Sequence, residues 1–286
     1  MKIYPVASGF NEFGILTRAG FDRCLYSLAH GMGGLLLHLM DDRNNYRFIL
    51  DSGAFTNRRP DAPRRVAFAD YCDVCKRLHR DAKFSKYCDW YATFDDLSSK
   101  HRTWAYYKKA KEEGLNPVFV DHAFFDREPH EVRRLHNIYE QSELVALGGL
   151  KPSLYKSEPD MLRRWLDERF EWAEKYRTKL HAFALGVNRL LFEFPFHSCD
   201  SSTWLSGARF GHILLWDGRS KRSFSIHYRD HPLAPAVRKR FTEMELDYDK
   251  YDDRNYWNAK FLYHLERFLT DGQTAGLSRM MGQELL

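Results

Sequence analysis

Tyr46-Arg47-Phe48-Ile49-Leu50 runs directly into Asp51-Ser52-Gly53-Ala54-Phe55. An apolar and aromatic run of this length, closed by turn-forming residues, reads as a short strand entering a loop. The pattern recurs along the chain. Cys88 to Phe94 (CDWYATF) leads into Asp95-Asp96, Pro117 to Val120 (PVFV) into Asp121-His122, Leu144 to Leu147 (LVAL) into Gly148-Gly149, and His181 to Leu185 (HAFAL) into Gly186. Lys2 to Ala7 reads as a first strand. Gly34 to Met40 (GLLLHLM) and Ile213 to Trp216 (ILLW) read as further apolar strands.

Between these runs lie stretches with apolar and charged residues at helical spacing: Arg65 to His79, His101 to Gly114, Pro129 to Gln141 and Glu158 to Thr178. Strands alternating with helices imply a parallel sheet joined by crossovers. Six or more such units predict an α/β protein with a (β/α)8 TIM-type barrel and a C-terminal helical extension; an open doubly wound sheet is the rival. No Gly-rich nucleotide fingerprint or P-loop supports the rival's commonest uses. A chain of 286 residues fits one such barrel. Residues 1–220 are expected to form the catalytic core. Residues 221–286 form a basic and aromatic extension that completes the barrel or packs on it. It carries Lys221-Arg222 and Arg238-Lys239-Arg240, then Asp247, Asp249, Asp252 and Asp253 among tyrosines. A final helix is expected over Tyr256 to Leu269, with Ala275 to Leu286 as a loose tail.

Composition narrows the class. The hydrophobic fraction of 44% and aromatic fraction of 15% belong to a folded protein. A net charge of +5 permits a polyanionic partner without requiring one. The five cysteines, Cys24, Cys72, Cys75, Cys88 and Cys199, are scattered and odd in number, which argues against a disulfide framework. Cys72 and Cys75 have half a zinc spacing, with His79 and Cys88 downstream. They lie in an expected helix and lack a second cysteine pair, so no metal and no cofactor is expected. The first residues carry no apolar run behind a basic start, and Gly31 to Met40 is too short to span a bilayer. A cytoplasmic protein without membrane contact is the expectation.

In parallel α/β proteins, active sites gather at the C-terminal ends of the strands, where the polar clusters fall here. Each cluster also has a plain reading. Asp51-Ser52-Gly53 suits a turn, Asp95-Asp96 a helix cap, Gly148-Gly149 a tight bend, and His122 a satisfied buried histidine. Their joint recurrence is harder to assign to turns alone. The segment Phe194-Pro195-Phe196-His197-Ser198-Cys199-Asp200-Ser201-Ser202-Thr203-Trp204 places an aspartate among small polar residues with aromatics on both sides.

Asp51-Ser52-Gly53-Ala54-Phe55-Thr56, Asp95-Asp96, Gly148-Gly149-Leu150, Ala184-Leu185-Gly186-Val187 and Ser198-Cys199-Asp200-Ser201-Ser202 come in the order found in tRNA-guanine transglycosylases. The chain resembles that superfamily over roughly residues 45 to 217. Ser201-Ser202-Thr203-Trp204 and Ser206-Gly207-Ala208-Arg209-Phe210-Gly211 look closer to the 7-deazaguanine DNA transglycosylases (the DpdA family) of phages and bacteria. The resemblance implies a (β/α)8 barrel with Asp200 as nucleophile and Asp51 as acid/base. It implies that Asp95 or Asp96 reads the base edge, with Asp95 favoured because it ends the strand. The backbone of Gly148, Gly149 and Leu150 would contact the base, with Ser52, Gly53, Phe55, His122 and Gly186 around it. Two departures stand out. The tRNA enzymes read D-S-G-G-F-Q where this chain has Ala54 and Thr56, and they carry a cysteine-rich zinc subdomain for which no cysteines remain after Cys199.

The activity so implied is exchange of guanine in DNA for a 7-deazaguanine such as 7-cyano-7-deazaguanine, with retention at C1′ through a covalent aspartyl-sugar intermediate. The expected partners are DNA, the free 7-deazaguanine base and a helper protein for duplex opening. The alternatives are the same chemistry on tRNA, a non-catalytic nucleic-acid-binding subunit, and a glycosidase that uses water. A base inside a duplex is reached only by flipping or from a single strand. Phe55, Phe196 and Trp204 are candidate stacking residues. Arg58, Arg59, Arg64, Arg65, Arg209, Arg238, Lys239 and Arg240 are candidate phosphate contacts.

Overall fold

The computed structural model describes residues 1–31, 33–57, 65–123, 127–150, 159–186 and 189–282. They form a mixed α/β fold. Its strands are β1 (Lys2–Pro5), β2 (Arg23–Ser27), β3 (Arg47–Asp51), β4 (Cys88–Tyr91), β5 (Val120–His122), β6 (Leu144–Gly148), β7 (Lys179–Ala182), β8 (Ser198–Ser201), β9 (His212–Asp217) and β10 (Arg222–His227). The chain divides into two compact units, one of residues 23–184 with 196–198, the other of residues 1–22, 185–195 and 199–286.

In the first unit β2, β3 and β4 pair in parallel, with Ser27 opposite Asp51. An isolated parallel bridge joins Ala92 to Val118, and β5, β6 and β7 follow in parallel order. Strands buried on both faces carry continuous apolar runs; Phe48, Ile49 and Leu50 are fully buried. The crossovers are the expected helices. Phe68–Arg80 buries Tyr71, Cys72, Cys75 and Leu78 on one stripe, and Tyr71 Oη donates to Ala92 O at 2.8 Å. Lys100–Glu112 starts at Ser99, whose Oγ accepts from the Arg102 amide. Pro129–Gln141 opens with Pro at its first position and a Glu128/Glu131 capping box. Pro159–Tyr176 is the fourth crossover.

One expected strand is a helix. Gly34–Leu39 is helical and buries Leu35, Leu36 and Leu39, the i, i+1, i+4 spacing of a helix stripe. Leucine is a strong helix former and the run holds no β-branched residue. Arg23–Ser27 is a strand with no counterpart among the expected ones, its middle residues Cys24, Leu25 and Tyr26 buried, and Arg222–His227 is another.

In the second unit, Ile213 to Trp216 lies in an antiparallel hairpin of β9 with β10, outside the parallel array. The helix Tyr251–Asp271 is its central element. Trp257 Nε1 donates to Leu214 O at 2.9 Å, and Asn258 Oδ1 accepts from the Leu214 amide at 2.8 Å. Glu266 Oε2 accepts from the Ile3 amide at 2.6 Å, and Lys260 donates to Ala19 O at 3.2 Å. The expected loose tail is instead the helix Ala275–Met281, which buries Leu277, Met280 and Met281. Residues 283–286 lie outside the described set.

Strand β8 begins in the first unit and ends in the second. At its start the His197 amide donates to Leu180 O beside β7, and at its end the Val6 amide donates to Ser201 O beside β1. The resulting order is β1-β8-β7-β6-β5.

Candidate active site

Parallel strands share one direction, so their last residues lie toward one end of a sheet. Those last residues are Ser27 of β2, Asp51 of β3, His122 of β5 and Gly148 of β6. Asp95 follows β4 by four residues. The first unit thus gathers most of the base-reading residues expected from the sequence.

Asp95 is their hub. Ser52 Oγ donates to its Oδ1 at 2.6 Å, and His122 Nε2 lies 2.7 Å from its Oδ2. All three are buried: Ser52 fully, Asp95 to 8% and His122 to 7% exposure. A buried carboxylate is tolerated only when partnered, and here each oxygen has one partner. A carboxylate offers about four acceptor positions, so acceptor capacity remains on Asp95. Gly148 lies opposite His122 across the β5–β6 pair. A Cβ at Gly148 would stand 2.4 Å from His122 Nδ1, so only glycine admits the imidazole there.

Asp51 is held separately. Its Oδ2 accepts from Ser27 Oγ at 2.7 Å and from the Gly53 amide at 3.0 Å. The second bond needs the chain to turn back on itself, which Gly53 does at φ +86°. Ser27 was not expected at the site; its only sequence signal is its place after the apolar run Cys24-Leu25-Tyr26. Gly149 and Leu150 follow β6, with Leu150 buried. Phe55 is 61% exposed on the short helix Ala54–Asn57.

Asp96 faces elsewhere. Its Oδ1 accepts from the Ser98 amide at 2.8 Å and from Ser98 Oγ at 2.5 Å, and Arg102 Nε lies 2.9 Å from Oδ2. Partial burial pushes its carboxyl up, but Ser98 and Arg102 pull harder and hold it below the ordinary range. It organises the start of the Lys100–Glu112 helix, and its side chain bonds to Ser98 and Arg102, not to the members of the Asp95 cluster.

Asp121 precedes His122 and points to the other face of β5. It is fully buried, and Arg127 Nη2 (2.5 Å), Arg169 Nε (2.7 Å) and Tyr139 Oη (3.3 Å) donate to it. Arg127 Nη2 also donates to His122 O at 2.7 Å. This network fixes the backbone that carries His122, and Arg127, like Ser27, is marked by no motif in the sequence.

In the second unit Asp200 lies near the end of β8, 4% exposed. Alternation sets it on the face opposite Cys199. Burial, then the charges of Asp200 and Glu266, push the Cys199 thiol far above its usual range, so it is no nucleophile. Ser201 Oγ accepts from the Thr203 amide at 3.1 Å, and Gly186 lies against the Thr203 side chain.

Two of the expected stacking residues are interior. Trp204 is fully buried and donates its indole N–H to Val6 O at 3.1 Å, and Phe196 is buried against Phe170. Both pack the interior and cannot stack on a base. Arg240 is tied to Glu243 and to the carbonyls of Met280 and Arg279. Arg238 pairs with Asp249 at 2.9 Å and stacks on Tyr248. Lys239 and Arg209 are exposed. Arg58, Arg59 and Arg64 lie outside the described residues, and Arg65 is exposed beside them.

Among the described residues no group of histidine, cysteine and carboxylate side chains could hold a metal ion, and no helix is long and apolar enough to cross a membrane. Burial pushes the Cys88 thiol up to about 12 and the Cys75 thiol beyond that. In comparisons with known proteins, the chain matches no family model and no curated protein.

Proposed function

We propose that the chain is a guanine/7-deazaguanine transglycosylase acting on DNA. The observation that carries this reading is the buried Asp95 carboxylate, held by Ser52 and His122 beside Gly148 at the strand ends. Guanine and every 7-deazaguanine present adjacent N1–H and 2-amino donors. A fixed carboxylate with unused acceptor positions complements that edge. It does so without contacting position 7, where the exchanged bases differ. The backbone of Gly148, Gly149 and Leu150 then suits the carbonyl side of the ring.

The fold reading attached to this proposal is a (β/α)8 barrel. The parallel order β2-β3-β4, the Ala92–Val118 bridge and the run β5-β6-β7-β8-β1 follow the cyclic strand order of that architecture.

In the proposed reaction Asp200 attacks C1′ and the C1′–N9 bond breaks, leaving a sugar ester on its carboxylate. Asp51 hands a proton to the departing guanine and later accepts one from the incoming base. That base attacks C1′ through its nitrogen and frees Asp200. Ser27 and the Gly53 amide orient Asp51 for this duty. Burial of Asp200 keeps water from intercepting the ester.

The test is incubation of the protein with 7-cyano-7-deazaguanine and either duplex DNA, single-stranded DNA or tRNA, followed by mass analysis of the nucleosides. The expected result is a deazaguanine nucleoside in DNA alone. It should fall on the order of a thousandfold or more in Asp200→Ala and Asp51→Ala. Asp95→Asn should discriminate against guanine, since an amide cannot accept two donors through both of its ends. Incorporation into tRNA alone would keep the chemistry and replace the substrate. Guanine release without incorporation would make the enzyme a glycosidase.

A further inference from the structure

A groove of about 1170 Å³ opens in the first unit between the helices Lys100–Glu112 and Pro129–Gln141. Its floor includes Cys88, Pro117 and Leu144, which stand at the beginnings of β4, β5 and β6. Asp95, His122 and Gly148 lie at or beyond the other ends of these strands, so the groove belongs to no part of the site above. At the upper end of the roughly 300–1,000 Å³ usual for a small-ligand pocket, it has room for a segment of polymer.

Its walls are aromatic and cationic. Trp104 and Tyr107 line one side, and the Arg134 guanidinium lies 4.3 Å from the Trp104 ring. Tyr107 packs edge-on against Phe119, which fixes its ring. Arg133 and Lys111 are exposed on facing helices, and neither has an acidic partner among the described residues; Lys111 donates to Asn116 Oδ1. Of the two carboxylates on the border, Asp89 is ion-paired with Arg47, which leaves Glu143 against three cations. The Asn137 and Gln141 amides add neutral donors and acceptors.

We propose that this groove is a single-strand nucleic-acid site. Phosphates would run along Arg133 and Lys111, and unpaired bases would stack at Trp104 and Tyr107. Single-strand sites combine a basic track with aromatic faces in this way, whereas an A- or B-form duplex buries its base faces. The proposal rests on the groove alone and stands apart from the transglycosylase reading.

The experiment uses the full chain and a labelled 20-nucleotide thymidine oligomer bearing 5-iododeoxyuridine. Binding is followed by fluorescence anisotropy over a salt series, and photo-crosslinked peptides are mapped by mass. Crosslinks are expected on the Trp104–Lys111 stretch. Arg133→Glu with Lys111→Glu, both exposed, should weaken binding tenfold or more. It should also flatten the log–log salt slope by about 1.4, since each phosphate contact on a single strand contributes about 0.7. Lys221→Glu with Arg222→Glu, on the β9–β10 hairpin, is the charge-matched control and should bind as the parent does. Unchanged affinity in the groove variant, or crosslinks confined to other peptides, would overturn the assignment. Equal loss of heparin binding without a crosslink in the groove would also overturn it, because that describes a general anion surface.

Discussion

Gly148 is the tightest point of the site, because a methyl group there would stand 2.4 Å from the His122 ring. The ring cannot yield freely, since its other nitrogen lies on Asp95 and Arg127 holds its carbonyl. Gly148→Ala is therefore expected to cost about 1–3 kcal/mol, the usual range for overpacking a filled interior, as read by urea denaturation. It should also break the Asp95–His122 contact; unchanged stability together with unchanged NMR chemical shifts of the His122 ring would show that the ring has room. Asp96 makes a different prediction. Its carboxyl is held below the ordinary range by Ser98 and Arg102, against the upward push of burial. A depressed carboxyl contributes stability above its unfolded pKa and loses it as pH falls through the folded value. Asp96→Asn should thus be less stable than the parent at pH 7, and the two should converge in acid. In the sequence the two aspartates are neighbours with no difference but order. What separates them in the fold is contact with Ser52 and His122, 43 and 27 residues from Asp95, and no local pattern encodes such contacts.

Elements were legible where period and punctuation agreed. Pro129–Gln141 carries a proline start, a capping box and a helical apolar stripe, and it forms within the expected limits. Gly34–Leu39 had only apolarity to go by, and a short apolar run does not distinguish a strand from a buried helix. The last helix is hidden in the sequence for a related reason. Ala275–Met281 is too short to be stable alone and forms because Leu277, Met280 and Met281 are buried. Its partner, Tyr251–Asp271, supplies His264, whose ring presses on Gly276. Burial first, then Lys260, Arg267 and Arg279, lower the His264 pKa to about 4. Since the unfolded chain takes up a proton near pH 6.5 and the folded one only near 4, stability should fall as pH drops across that window. His264→Gln should flatten the fall in a series of thermal melts from pH 7 to 4, with little change at pH 7. An unaltered pH profile would assign the acid sensitivity to other groups.

At the scale of the whole chain, the two units are not consecutive segments. The backbone passes between them after residues 22, 184, 195 and 198, so no single cut separates one from the other. Residues after 220 stand apart in composition, with clustered basic and acidic residues, and the sequence sets them off as an extension. Their helix Tyr251–Asp271 nevertheless holds the first strand and first helix. Glu266 accepts from Ile3, Asn11 donates to Asp252, and Phe21 packs on Tyr263. Trp257, Phe261, Leu262 and Leu265 are all buried. Removing one large buried aromatic costs about 3–5 kcal/mol, and a domain is stable by only about 5–15 kcal/mol. Deleting residues 251–286 removes two such aromatics with their leucine neighbours and exposes the surfaces of β1 and Phe10–Ala19 that they cover. The truncated chain is therefore expected to lose the structure of the second unit, Asp200 with it. Limited proteolysis should then cleave near the N-terminus at rates close to those of the urea-unfolded chain. Single Trp257→Ala should leave a folded but weakened protein. A soluble truncated chain with one cooperative transition and a protected N-terminus would mean that β1 and its helix are held by other contacts, and that the C-terminal helices are an appendage.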